Sequence, residues 1–202
     1  MARTTKKQQE ERKRRIIEVA SKKFLEHGFE ATSTKTIAKE VGIAEGTLFN
    51  YFDSKTDLFF EIINQDIQQK MTVWHDTIKE EKDIAKAIVT EMKRILKLLL
   101  KLPKRLLAEL TVQTIKLAKK NPSKLKHYAD IDFQYMARIE EYFNQLKARG
   151  FFQSLNSKYM SEIIYSIMVY ELMIYVYDKK RSKEMLFNTV EDKVYMVLKE
   201  RL

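Results

Sequence analysis

The amino-acid sequence predicts an all-α protein of about nine helices, and three observations carry that expectation. Gly 4 and Pro 2 in 202 residues are far too few for the tight turns of a sheet protein. Lys, Glu, Leu, Ile, Met and Ala dominate the remainder, a composition weighted towards helix formers. Apolar residues also recur three and four apart through most of the chain, as on one face of a helix.

The elements follow in order. Residues 1–9 read as a basic tail whose Arg3, Lys6 and Lys7 either reach a phosphate or groove or simply stay solvated. A first helix from about residue 10 to His27 buries Ile16, Ile17, Ala20 and Phe24; Gly28 ends it and Phe29 folds back. Arg12, Lys13, Arg14 and Arg15 crowd its start, where cations oppose the helix dipole, and that suggests a nearby phosphate, although Glu10 and Glu11 compensate in part. Thr32, Ser33 and Thr34 cap a second helix, Thr34 to Val41, with Ile37, Ala38 and Val41 inward. Gly42 supplies the left-handed stop and Ile43 tucks under the turn.

Ala44 to Tyr51 makes barely two turns. Leu48 and Phe52 face inward; Glu45, Gly46, Thr47, Phe49, Asn50 and Tyr51 face largely outward. Ser54 and Asp57 then form a capping box for a long fourth helix reaching about Lys79, buried through Leu58, Ile62, Ile63, Ile67 and Met71. A helix too short to stand alone, with polar and aromatic groups outward, suits a probe for the DNA major groove.

A fifth helix over about 83–101 buries Ile84, Ile88, Met92, Ile95 and Leu99, with Lys93, Lys97 and Lys101 on another side. Pro103 fits the first turn of a sixth, ending near Lys119. Asn121-Pro122 opens a seventh, buried through Tyr128, Ile131, Tyr135, Ile139, Tyr142 and Leu146 and stopped by Gly150. The eighth, about 157–178, is apolar nearly all round, so it needs cover from its own core and from a second chain. A ninth, about 183–201, is amphipathic through Leu186, Val190, Val194, Val197 and Leu198.

Composition narrows the function classes. Hydrophobic content of 45% suffices for one sizeable core or two small ones. The formal charge of +10 favours an anionic partner, nucleic acid ahead of an acidic membrane surface, with plain solubility the bland reading. With Cys 0 there is no disulfide or thiolate chemistry, which is compatible with a cytoplasmic location. No signal-peptide core follows the basic start, and the apolar run Ile163 to Tyr177, interrupted by Ser166 and Glu171, is shorter than a bilayer span, so no membrane partner is expected. His27, His75 and His127 lie in no ligand-like spacing, and neither a Gly-rich phosphate loop nor a nucleophile elbow is present. No catalysis, cofactor or metal is expected.

The segments FLEHGFEATST, TIAKEVGIAEGTLFNYF and DSKTDLF stand in order between Ile16 and Phe59. Together they resemble the DNA-binding domain of the TetR/AcrR family of transcriptional regulators. The resemblance implies a helix-turn-helix domain over residues 10–54 and an effector-binding and dimerisation domain over 55–202. Carried over, Thr34 matches a phosphate contact and Lys35 a position that reaches a base edge. Ala44, Glu45, Gly46 and Thr47 match the leading turn of the recognition helix. Phe49, Asn50 and Tyr51 match the stretch that touches thymine methyls and backbone, and Lys55 matches a phosphate clamp. The sequence departs from the usual pattern at Ala44, which lacks a hydroxyl cap, and at Phe49 and Tyr51. Glu45 either accepts from a cytosine amine or complements the helix N-terminus, the second being preferred.

The resemblance further implies a homodimer on a palindromic double-stranded operator, repressing until a small, largely apolar effector binds. The last two helices would form the seam, through Ile163, Ile167, Met168, Glu171, Val190 and Val194. Glu171, the one charge in its apolar run, either pairs across that seam or anchors a ligand. Trp74, Met92, Gln113, Tyr128, Tyr135 and Phe143 are the expected effector pocket, and each also reads as ordinary core. Lys93, Lys97, Lys101, Lys104 and Arg105 admit an acyl-CoA-like effector, with a solvated lysine face as the plainer reading. The alternative function is a DNA-binding scaffold whose body docks a protein partner; an enclosed apolar cavity would favour the sensor.

Overall fold

A computed structural model describes residues 5–71 and 83–199 of the chain, with side chains for 5–65 and 83–198. Trp74 and His75 lie outside the described residues. Within them the chain is helical throughout: α1 (Lys6–His27), α2 (Thr34–Val41), α3 (Glu45–Phe49), α4 (Lys55–Met71), α5 (Ile84–Leu99), α6 (Lys104–Lys120), α7 (Pro122–Ala148), α8 (Ser157–Tyr177) and α9 (Lys183–Lys199).

Caps fix most of the starts. Thr5 and Gln8 form a capping box, so α1 begins at Lys6, inside what reads in sequence as tail. That shift places Arg12 to Arg15 in the second and third turns of α1 and puts Lys6 and Lys7 in the first turn instead, with no acidic residue beside them, so cations still oppose the helix dipole there. Ser33 caps α2, Asp83 caps α5, Asn121 caps α7 and Asn156 caps α8, each by accepting a backbone N–H. Ser54 accepts from the Asp57 N–H at 3.1 Å and donates its hydroxyl to the Asp57 carboxylate at 2.9 Å, a side-chain variant of the expected box.

Gly42 sits at φ 81, ψ 33, and the N–H groups of Gly42 and Ile43 return to Lys39 and Ala38 in a Schellman closure. Gly28 is held for two reasons: its φ is 88, and a Cβ there would meet the Arg105 guanidinium at 3.0 Å.

Two cores result. The N-terminal one joins α1 to α4 around Ile16, Phe24, Phe29, Ile37, Leu48 and Phe59, and it draws in Leu106 from α6. The larger one joins α5 to α9 around Met92, Ile139, Phe143, Ile164, Val190 and Val194. A small third cluster, Phe60, Leu117 and Tyr128, lies between them. The first half of α4 therefore belongs to the N-terminal core through Leu58, Phe59 and Ile63, while Phe60 looks to the other side.

At 21 residues, α8 is the described helix long and apolar enough to cross a bilayer, so length alone did not exclude a span. It packs instead. Met160, Ile164, Met168, Glu171 and Tyr175 bury one face in the chain's own core, while Tyr159, Ile163, Tyr170 and Tyr177 stand out on the other.

Candidate functional site

The reading surface is built by α2, its glycine turn and α3. Five residues of helix hold their place because Leu48 is fully buried beneath them and Phe52 follows it into the core. Ala44, Gly46, Phe49 and Asn50 are exposed, as is Lys35 on α2, while Thr34, Glu45, Thr47 and Tyr51 are half-buried. The N-cap of α3 is Ala44, with no side-chain bond. Its first turn carries Glu45, whose carboxylate accepts from the Thr34 hydroxyl at 2.5 Å. That bond ties the starts of α2 and α3 together and turns Glu45 towards the protein rather than outward.

Lys55 is also committed inward. Its ammonium donates to the carbonyls of Phe29 at 2.9 Å and Thr32 at 3.0 Å, with Glu30 at 3.4 Å, and sits 4.4 Å from the centre of the Phe29 ring. It fastens the loop before α2 to the start of α4, so its positive charge lies beside α2 without pointing away from the protein.

In the body, helices α4 to α8 line a cavity of about 490 Å³ that is partly open to solvent. Phe60 and Ile63 line it from α4, Ile95 and Leu99 from α5, and Leu107 and Thr111 from α6. Tyr128, Asp132 and Tyr135 line it from α7, and Tyr165, Leu172 and Met173 from α8. Of the expected pocket residues, Tyr128 and Tyr135 are on its wall. Met92 and Phe143 lie off it in solid core, the latter edge-on to Phe152 at 5.8 Å. Gln113 is buried elsewhere, its amide 3.4 Å from the Glu30 carboxylate across the domain boundary.

Sequence reasoning passed over Asp132 and Tyr165. Asp132 had a signal: it falls four residues after Tyr128 and three before Tyr135, a lone carboxylate in an aromatic stripe. Burial raises its pKa above the ordinary 3.8, and a hydrogen bond from the Tyr165 hydroxyl offsets part of that rise.

The lysine cluster does not converge on the cavity. Lys93 pairs with Glu191 at 2.5 Å, and Lys104 caps the carbonyls of Asp178 and Arg181 at 3.0 and 2.8 Å. The Arg105 guanidinium lies 3.5 Å from the Leu25 carbonyl, and Lys97 and Lys101 are exposed. Among the described residues, no Lys, Arg or His lines the cavity.

A polar seam joins reader to body. Asp57, buried at the start of α4, accepts from the Tyr128 hydroxyl at 3.0 Å and from Lys124 at 2.7 Å; Lys124 also reaches Asp53 at 2.7 Å. Burial lowers the Lys124 pKa, but the bonds to Asp53 and Asp57 outweigh it, so the net shift is upward and the ammonium stays charged. The Tyr128 ring stacks on Phe60 at 4.7 Å. Burial, then the Asp57 charge, push its phenol well above the usual range.

Of the residues expected at a dimer seam, Met168, Glu171, Val190 and Val194 are buried within the chain's own core. Glu171 pairs there with Arg181 and with Lys193, the latter at 2.5 Å. Ile163 is exposed and Ile167 half-buried, beside exposed Tyr159 and Tyr170, and Met196 of α9 stands 67% exposed. Both faces of α8 are apolar, so its periodicity does not say which one turns outward.

Residues 16–62 match the family described as bacterial regulatory proteins, tetR family. An HTH-type transcriptional regulator of Staphylococcus aureus (strain bovine RF122 / ET3-1) is 45% identical over 62 residues, which is 31% of this chain and 34% of that protein. The match thus spans about a third of the curated relative. A TetR-family transcriptional regulator of Mesorhizobium loti superposes with a TM-score of 0.70 at 20% identity, over 95% of this chain and 96% of its own. A transcriptional regulator of Saccharomonospora viridis, solved in complex with choline, gives 0.67 at 18% identity, over 94% and 96%. At such identities the two structures speak for the fold, and the matched segment for the reader. Residues 16–62 are thus similar to the DNA-binding segment of the tetR family of bacterial regulatory proteins, with the helix-turn-helix in α2 and α3, and the chain as a whole shares the fold of solved regulators of that kind.

Proposed function

We propose that the protein is a cytoplasmic, ligand-responsive transcriptional repressor that binds a palindromic operator as a homodimer. Gly46, Thr47, Phe49 and Asn50 would meet base edges and thymine methyls, with Thr34 and Lys35 beside them along the backbone. The exposed stripe of Tyr159, Ile163, Tyr170 and Tyr177 on α8, continued by Met196 on α9, supports pairing through these two helices.

One observation carries the ligand-responsive part: Tyr128 is at once a wall of the cavity and a hydrogen-bond donor to Asp57, at the start of the helix that leaves the reader. A ligand that displaces the Tyr128 ring from Phe60 strains that bond and tilts α4. The two readers of a dimer then lose the spacing of one operator. The effector is small and largely apolar, since the wall is mostly hydrocarbon and ring. The absence of cations from the described wall speaks against seating acyl-CoA phosphates there. The choline complex of the Saccharomonospora protein is a precedent for a small molecule in this fold. The cavity likewise favours a sensor over a scaffold that docks a protein.

Selection from random duplexes, followed by gel-shift titration, tests the reading. The selected site should be two-fold symmetric, and Thr47→Ala or Asn50→Ala should change its preferred bases. A protein that ignores every duplex at low salt, or holds DNA as a monomer, overturns it.

A further inference from the structure

We propose that the cavity takes an organic monocation with an apolar body, its charge held by the Asp132 carboxylate among tyrosine rings. The proposal rests on the reading of this cavity as the effector site and adds the charge of the ligand.

The polar inventory of the wall leaves few anchors. Thr111 and Thr114 donate to the carbonyls of Leu107 and Leu110 on their own helix, at 3.2 and 2.8 Å. The Tyr128 hydroxyl is committed to Asp57 at 3.0 Å, and the Asn64 amide lies 3.5 Å from the Tyr128 carbonyl. Asp132 is the one ionisable acid on the described wall, and the Tyr165 hydroxyl donates to it. A single phenol leaves most of a carboxylate's acceptor sites open, and no basic side chain of the described wall balances its charge.

A carboxylate in such a place is costly to keep ionised, consistent with the rise that burial gives its pKa. A cationic guest removes that cost by supplying the missing charge. A neutral apolar guest only deepens the desolvation, and an anion adds repulsion. The surrounding rings suit the same guest. Tyr135 and Tyr165 lie 6.2 Å apart, tilted by 56°, on the same α7–α8 wall as Asp132, and Phe60 stacked on Tyr128 adds a second ring pair to the lining. Ring faces attract a weakly hydrated ammonium, above all one that carries alkyl groups. A metal ion fits poorly, since no group of three His, Cys, Asp or Glu side chains converges among the described residues. The apolar remainder of the wall, with exposed Ile115 and Met173 at its rim, accommodates the hydrocarbon body.

The test is calorimetric titration of the full chain with three ligands of one tail length, below their micelle concentrations: decyltrimethylammonium, 1-decanol and decanoate. The ammonium should bind about ten-fold or more tighter than the alcohol, with decanoate the weakest. Asp132→Asn should remove that preference while leaving decanol within about two-fold, which also shows that the variant is folded. Equal or tighter binding of decanol or decanoate overturns the charge assignment and leaves the effector cavity standing, as does an ammonium affinity unchanged by Asp132→Asn. A cavity that takes none of the three overturns both.

Discussion

Around Phe59 the N-terminal core is closed by rings: Phe24 at 5.4 Å, Phe29 at 4.9 Å, and the same two 5.6 Å from each other, all buried. On the other side of α4, one residue along, Phe60 faces a void of about 490 Å³. The same helix thus borders a filled core and a hollow one. On the function proposed above, a reader that must hold α3 in one pose profits from dense packing, and a body that must admit a guest leaves contacts unmade. Phe59 and Phe60 mark the border between the two.

The largest effect tests that difference directly. Phe59→Ala should cost about 3–5 kcal/mol in urea unfolding, because Phe24 and Phe29 lose their common partner. Leu172→Ala, on the wall of an existing void, should cost less than about 2 kcal/mol. Equal losses would mean that the two cores are packed alike.

Next comes the link across the border. Tyr128→Phe keeps the ring on Phe60 and removes one donor from buried Asp57, which retains Lys124. The expected loss is about 1–3 kcal/mol of stability. Ligand should still bind, but gel shifts should show DNA release blunted; release as complete as in the parent would assign the coupling to another contact.

A smaller effect comes from Asp132. Its folded pKa lies above the ordinary 3.8, so the folded chain holds that proton more tightly than the unfolded one. Stability from this group is therefore present at acid pH and falls as pH rises from 3.8 through the raised value. Asp132→Asn should flatten that part of the pH–stability curve, as read by thermal unfolding.

The smallest effect sharpens the reader. Ala44→Ser gives α3 the side-chain cap that it lacks and should add about 1 kcal/mol or less. Tightened binding to all duplexes alike would mark the gain as helix order or phosphate contact; a changed base preference would place residue 44 at a base edge.

The reader was legible because its signals are local. Gly42 must be left-handed, Ser33 and Ser54 must cap, and Leu48 and Phe52 must turn inward, each within a few residues of its partner. Lys55 was harder. A lysine at a helix start beside a DNA-reading segment reads as a phosphate ligand, but the carbonyls it captures belong to residues 29 to 32, brought to it only by the fold. The cavity was harder still, because its wall is assembled from five helices whose apolar stripes look the same whether the space between them is filled or empty.

By itself, the sequence determined the helices, most of their caps, the turn of the reader and the likeness of residues 16–62 to tetR-family regulators, because these depend on short-range geometry and on residue types at fixed spacing. Tertiary structure alone decided which face of α8 turns outward, that Met92 and Phe143 are core while Asp132 and Tyr165 line a void, and that Tyr128 spans from void to reader. Those outcomes depend on how helices far apart in the chain pack against one another, and packing is set by the shapes of all the partners at once.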